Sequence, residues 1–129
     1  MSIQLNHTIV SARDKHASAT FMTEIMGLPP PETFSHFLVV HTANGVSLDF
    51  MTSQDPIKPQ HYAFLVGEDE FDQIFARIKE RGLTYWADPR AQRPGEINTR
   101  DGGRGLYFKE PSGHYLEILT RPYGSRPDQ

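Results

Sequence analysis

Apolar and polar residues alternate along IQLNHTIV, residues 3–10, and this predicts a first strand with Ile3, Leu5, His7 and Ile9 on one face. His7 is the only polar member of that face. The period then lengthens. Ala17, Phe21, Ile25 and Leu28 recur at helical spacing, so a helix is expected from about Asp14, a residue suited to the N-cap, until Gly27 and the prolines 29–31 stop it. FSHFLVVHT and GVSLDFMT read as two strands joined through Ala43-Asn44-Gly45, because Asn-Gly between apolar runs favours a tight hairpin. DPIKPQ, residues 55–60, is a linker, and beyond it the pattern restarts. HYAFLVG predicts a strand opening at His61. EDEFDQIFARIKERG predicts a helix with Phe71, Ile74, Phe75 and Ile78 on its core face, Asp69 as its candidate cap and Gly82 as its stop. LTYW (83–86), RGLYFK (104–109) and HYLEILT (114–120) read as strands, with a turn at Pro111–Gly113.

The two halves match by arithmetic. His7 precedes Gly27 by 20 residues and His61 precedes Gly82 by 21, and each glycine is followed by Leu. Asp49 lies 22 residues after Gly27, and Glu117 lies 35 after Gly82. Each half therefore opens with a His on its first strand and closes with an acid on its last. The surplus of 13 residues (35 − 22) falls in the polar stretch from Asp88 to Gly103. A connection of that length in a compact domain is commonly a lid or a binding loop. The class is α+β, with the β-α-β-strand unit written twice in modules 1–55 and 60–123 of one domain spanning 1–129.

Glu117, in the apolar run YLEIL, poses a chemical question. A carboxylate on a buried strand must face water, pair with a cation or bind a metal. His7, His61 and Glu117 together make two imidazoles and one carboxylate. Such a set, leaving open positions on the ion, suits non-haem Fe(II), and Zn(II), Ni(II) or Mn(II) are alternatives. Each residue alone has an ordinary reading, a hydrogen-bonded strand histidine or a water-facing acid; their matched places in two halves favour the metal set. Asp49 holds in the first half the place of Glu117 in the second. Its parity is opposite to Val46, Leu48 and Phe50, so it shares a face with Ser47 and Met51. It is either a fourth ligand or, being a methylene shorter than Glu, a base beside the metal. His36 and His41 have opposite parity and are expected to be structural. His16 is expected on the exposed face of the first helix, and His114 is expected to stabilise the Pro-Ser-Gly turn. The segment from Pro122 reads as flexible, with Tyr123 able to pack near the mouth of a site.

Composition narrows the function further. The 129 residues are 37 % hydrophobic and 11 % aromatic, enough for a core, and carry a formal charge of −3 with no cysteine. Scattered Lys and Arg give nucleic-acid binding no support. Thiolate metal sites, disulfides and a cysteine nucleophile are excluded. No apolar run approaches the roughly 20 residues that span a bilayer. The N-terminus shows no signal-peptide pattern, so a soluble cytoplasmic protein is the default expectation.

LNHTIV, HYAFLV and above all GLYFKEPSGHYLEIL resemble the vicinal oxygen chelate superfamily, which includes glyoxalase I, the bleomycin- and fosfomycin-resistance proteins and the extradiol dioxygenases. The resemblance covers nearly the whole chain. It implies paired βαβββ modules forming a cup-shaped mixed sheet around a metal, the glyoxalase/dioxygenase fold. It also implies that His7, His61 and Glu117 are the metal ligands. Tyr107, ten residues before Glu117, stands where the extradiol enzymes of the superfamily carry a catalytic tyrosine. NHTIVSARDKHASATFMTEIMGLP further resembles the small dioxygenases of aromatic polyketide pathways, the chartreusin-pathway subgroup, and Asp49 in GVSLDFM fits that subgroup. Glyoxalase I usually has a metal-binding Glu there. The resemblance thus implies an Fe(II) dioxygenase for a phenolic or quinoid polyketide, with Asp49 and Tyr107 catalytic. Phe37, Met51, Trp86 and Phe108 are candidates for the apolar wall. The alternatives are a glyoxalase-type isomerase or thiol transferase, whose anionic substrates could use Arg93, Arg100 and Arg104, and a drug-sequestering binding protein. A homodimer is expected, since single-domain members commonly pair and the sheets would leave open edges.

Overall fold

The structure is a computed structural model and describes residues 2–125; residues 126–129, part of the segment expected to be flexible, lie outside the described residues. The chain divides into two compact units, one of residues 1–58 with 110–112, the other of 59–109 with 113–129. The first unit contains β1 (His7–Ala12), α1 (Lys15–Met26), β2 (Glu32–Phe34), β3 (Phe37–His41) and β4 (Ser47–Thr52). The second contains β5 (His61–Leu65), α2 (Glu68–Glu80), β6 (Tyr85–Trp86), a 3-10 turn at Arg100–Gly102, β7 (Gly105–Lys109) and β8 (Tyr115–Leu119). Their sheets have the same topology, β1-β4-β3-β2 and β5-β8-β7-β6, each with one parallel pair closing on the last strand. The expected βαβββ repeat is therefore the observed one.

In the first unit, Asp14 caps α1 as expected: its side chain accepts from the amides of His16 (2.9 Å) and Ala17 (3.4 Å). Gly27 ends the helix at φ 71°, a left-handed conformation that glycine adopts without strain. The buried stripe is Ser18, Met22 and Ile25, with Ala19 and Thr23 beside it. Ala17 is exposed, so the core face lies one residue on from the expected one. That stripe covers Val10, Ala12, Leu38, Val40, Leu48 and Phe50, all buried. Burying each large apolar side chain is worth about 1.5–3 kcal/mol.

One further expectation is corrected here. The segment 34–42 is not one strand: Ser35 adopts φ 56° and folds the chain back, so β2 pairs antiparallel with β3. The cross-strand pair His41–Glu32, at 3.4 Å, spans this hairpin. The face of β1 carrying His7 and Ile9 is the exposed one; Val10 and Ala12, of the opposite parity, are the buried residues. Alternation revealed the two faces but could not say which one the helix would cover. The Asn44-Gly45 turn forms as expected, with Gly45 at φ 80° and the Thr42 amide donating to the Val46 carbonyl at 3.0 Å.

In the second unit, Phe71, Ile74 and Ile78 are buried, while Phe75 is only half-buried and meets the ring of Tyr85 edge-on at 5.1 Å. The N-cap is Gly67 rather than Asp69; the Glu70 carboxylate reaches back to accept from the Gly67 amide at 2.8 Å. The Leu83 amide donating to the Ile78 carbonyl at 3.1 Å, with Gly82 at φ 64°, closes the helix in a Schellman arrangement. His114 is buried, and its Nδ1 accepts from the Gln60 amide at 2.9 Å, which secures the entry to β5.

Replacing Asp14 with Ala removes the acceptor for two first-turn amides. Urea denaturation should show a loss of about 1 kcal/mol, most of it restored in Asp14→Ser.

Candidate functional site

Register gathers several of the candidate side chains in the second unit. Across its sheet run Trp86, Tyr107, Glu117 and Ala63, paired in that order. Side chains directly opposite share a face, so Trp86, Tyr107 and Glu117 lie together. His61, two residues before Ala63 on β5, shares that face too. Leu106, Phe108, Leu116 and Ile118 occupy the other face and are fully buried. Phe108 is therefore a core residue and not part of an apolar wall at the site, whereas Trp86 remains on the site face.

Glu117 is 1 % exposed. Its Oε1 is 2.9 Å from Nε2 of His61, and its Oε2 accepts a hydrogen bond from the Tyr123 hydroxyl. The Tyr123 hydroxyl lies 3.1 Å from that of Tyr107, and Nη1 of Arg100 donates to both, at 3.1 Å to Tyr107 and 3.2 Å to Tyr123. A single chain of donors thus runs from the guanidinium through two phenols to the carboxylate. The hydrogen bond to the Tyr107 oxygen holds Arg100 above the usual arginine range. Burial of the hydroxyl, then its bond to Glu117, pushes the Tyr123 phenol up, so it stays a proton donor at neutral pH.

The donor set fits a divalent cation. Adjacent ligands about 2.1 Å from one metal at right angles stand roughly 3.0 Å apart, which is the spacing between His61 Nε2 and Glu117 Oε1. An imidazole and a carboxylate suit Fe(II), Zn(II), Ni(II) and Mn(II) alike. Among the described residues no group of three or more His, Asp or Glu side chains is drawn together as a ready cage.

The first unit repeats this register without the cluster. His7 pairs with Ser47 as His61 pairs with Tyr115, and Asp49, two residues on, corresponds to Glu117. The equivalence counted along the chain is thus present in the strand pairing. His7 is exposed, with Nδ1 2.7 Å from Asn6 Oδ1. Asp49 is half-buried and accepts from the Ser47 hydroxyl at 2.9 Å. Val39 pairs with Asp49 where Tyr107 pairs with Glu117, so only the second unit has a phenol beside its acid. Phe37 and Met51 share the Asp49 face and are half-buried.

The long connection is ordered. Asp88 accepts from the amides of Gln92 and Arg93, Trp86 bridges to Pro94, and Asn98 bridges to Gly105. Of the three arginines considered for an anion, Arg93 pairs with Glu96 at 2.9 Å, and Arg104 pairs with Glu68 and Asp72, each at 2.8 Å. Local acids have taken both. Only Arg100 reaches the tyrosines. Tyr123 was the residue hardest to assign in advance; its signal was the local Pro122-Tyr123-Gly124 turn.

A sequence model of the Glyoxalase/Bleomycin resistance protein/Dioxygenase superfamily matches residues 4–118. The chain belongs to that superfamily. Two solved structures, Oxidase ChaP-H2 and Oxidase ChaP-H1, are each 63 % identical to this superfamily member, with TM-scores of 0.96 and 0.94. The first alignment covers 98 % of this chain and 99 % of the other, the second 95 % and 99 %. The chain is an enzyme of the superfamily, as those relatives are. It is also 28 % identical to "Glutathione transferase FosA" of Serratia marcescens over 95 % of this chain and 84 % of that protein. It is 25 % identical to "Metallothiol transferase FosB" of Shouchella clausii (strain KSM-K16) over 95 % and 83 %. No helix among the described residues is long and apolar enough to cross a membrane.

Glu117→Gln keeps an acceptor for the Tyr123 hydroxyl and leaves half-exposed His61 to water. In metal-free protein it should lower the unfolding free energy by no more than about 1 kcal/mol in urea. A loss of several kcal/mol would make Glu117 a fold residue.

Proposed function

We propose that this chain is an Fe(II)-dependent oxygenase, acting in the cytoplasm, that cleaves or oxidatively rearranges a phenolic or quinoid polycyclic compound of the aromatic polyketide class. The observation that carries the reading is Glu117, a buried carboxylate presenting one oxygen beside the imidazole of His61. The oxidase relatives at 63 % identity support the reaction class.

His61 and Glu117, joined by His7, would hold the metal; Ni(II), Zn(II) and Mn(II) are the alternatives. The bound ion supplies a template for two adjacent substrate oxygens and for the oxidant. The protein's own groups do the rest. Asp49, held by the Ser47 hydroxyl, takes the proton of a substrate hydroxyl. Tyr107, supplied with a donor by Arg100, orients the substrate oxygen and returns a proton to it. Trp86 offers an aromatic surface on the same face.

A thiol transferase or glyoxalase-type isomerase is the second reading, favoured by the likeness to FosA and by the cation of Arg100. Oxygen uptake on a catecholic or quinoid polycycle separates the two, and a drug-binding protein would contain no stoichiometric metal.

Elemental analysis after anaerobic reconstitution should give one metal per chain, lost in His7→Ala and in His61→Ala while far-UV circular dichroism is unchanged. Full metal in His61→Ala contradicts the ligand set. Asp49→Asn should keep the iron and lower turnover about 100-fold or more; unchanged turnover makes Asp49 a bystander, and lost iron makes it a ligand.

We also propose a homodimer. Ile9 on edge strand β1, Leu65 on edge strand β5, and Ile3 and Leu5 ahead of β1 are 50 %, 62 %, 91 % and 70 % exposed. Unpaired edges bearing large apolar side chains invite a partner. Light scattering at micromolar concentration should give twice the chain mass; the mass of one chain contradicts this.

A further inference from the structure

We infer that Tyr123 is a positioning residue that fixes which oxygen of Glu117 can bind a metal, a role that rests on the metal reading above. The two carboxylate oxygens have different neighbours. Oε1 lies beside His61, the other donor of the pair; Oε2 is taken by the Tyr123 hydroxyl. A hydroxyl bound to Oε2 competes with any second metal bond to that oxygen. Glu117 is thereby limited to one-oxygen ligation through Oε1, and its carboxylate plane is set before any ion arrives.

Several contacts hold the phenol in place, all within the second unit. The Ser125 amide donates to the Pro122 carbonyl at 3.2 Å, and Gly124 takes φ 77°, a type II turn that projects Tyr123 from its second position. The Gly124 amide donates to Asp101 Oδ2 at 3.1 Å, and the Arg104 amide donates to Thr120 Oγ1 at 2.8 Å, binding the turn to the segment 100–104. Gly103 permits this close approach: a Cβ there would stand 2.6 Å from Thr120 Oγ1 and 2.9 Å from Arg121 Cγ. Arg100 and Tyr107 complete the hold by bonding the Tyr123 oxygen. Tyr123 as a whole residue is 57 % exposed, so these polar contacts, more than packing, keep it in place.

The test is titration calorimetry with Mn(II) alone on the wild type and on Tyr123→Phe, which keeps the ring and removes the hydroxyl. Outer partners of metal ligands are typically worth 10–100-fold in affinity, so Mn(II) binding should weaken about 10- to 100-fold while the metal-free far-UV circular dichroism stays the same. With Co(II), the visible absorption of Tyr123→Phe should change, because Glu117 then offers both oxygens. Gly103→Val, which displaces the turn, should weaken Mn(II) binding in the same direction, and the double variant should be no weaker than the worse single one. Unchanged or tighter Mn(II) binding by Tyr123→Phe with an unchanged Co(II) spectrum overturns the inference and leaves the metal reading standing. A wild type that binds neither ion overturns the metal reading and the inference with it.

Discussion

A carboxylate removed from water constrains everything around it. Glu117 sits on an inner strand of its sheet, shielded from solvent, where an uncompensated charge would cost several kcal/mol. The protein meets that cost with donors from three places: His61 on the neighbouring parallel strand, Tyr123 from the turn after β8, and, behind Tyr123, Arg100 from the long connection. Each needs a particular piece of fold. The parallel pairing of β5 with β8 brings His61 alongside, the glycine turn aims the phenol, and the ordered 88–103 segment delivers the guanidinium.

The two units show how one fold carries different chemistry. Strand order and register are the same, yet Asp49 has a hydroxyl and a valine for neighbours where Glu117 has an imidazole and two phenols. The shorter acid, half-buried and lightly held, suits proton transfer. The longer one, fixed on both oxygens, suits ligation. A repeated module thus supplies two carboxylates with divergent surroundings, a common basis for dividing chemical roles.

Much of this was legible in the sequence because it follows from counting. The spacing of His7, Gly27 and Asp49 against His61, Gly82 and Glu117 foretold the equivalence that strand register displays. Asp14, Gly27, Gly45 and Gly82 foretold caps and turns because their conformations are local. What counting could not supply was which face of β1 the helix would cover. Ser35, a non-glycine residue at positive φ, hid the break between β2 and β3. Arg93 and Arg104 looked available because their acidic partners come from turn and helix geometry. Tyr123 was seen only as near the mouth, since its partner is a side chain across a turn and no periodicity records such a contact.

The central claim is that Glu117 is buried to hold a metal with histidine. Anomalous diffraction at the iron edge, on crystals grown anaerobically with Fe(II), tests it most directly. The account predicts one strong peak within bonding distance, about 2.0–2.2 Å, of His61 Nε2 and Glu117 Oε1, with His7 as the third ligand. A fully reconstituted crystal whose anomalous peak lies away from Glu117, or that shows none, contradicts it.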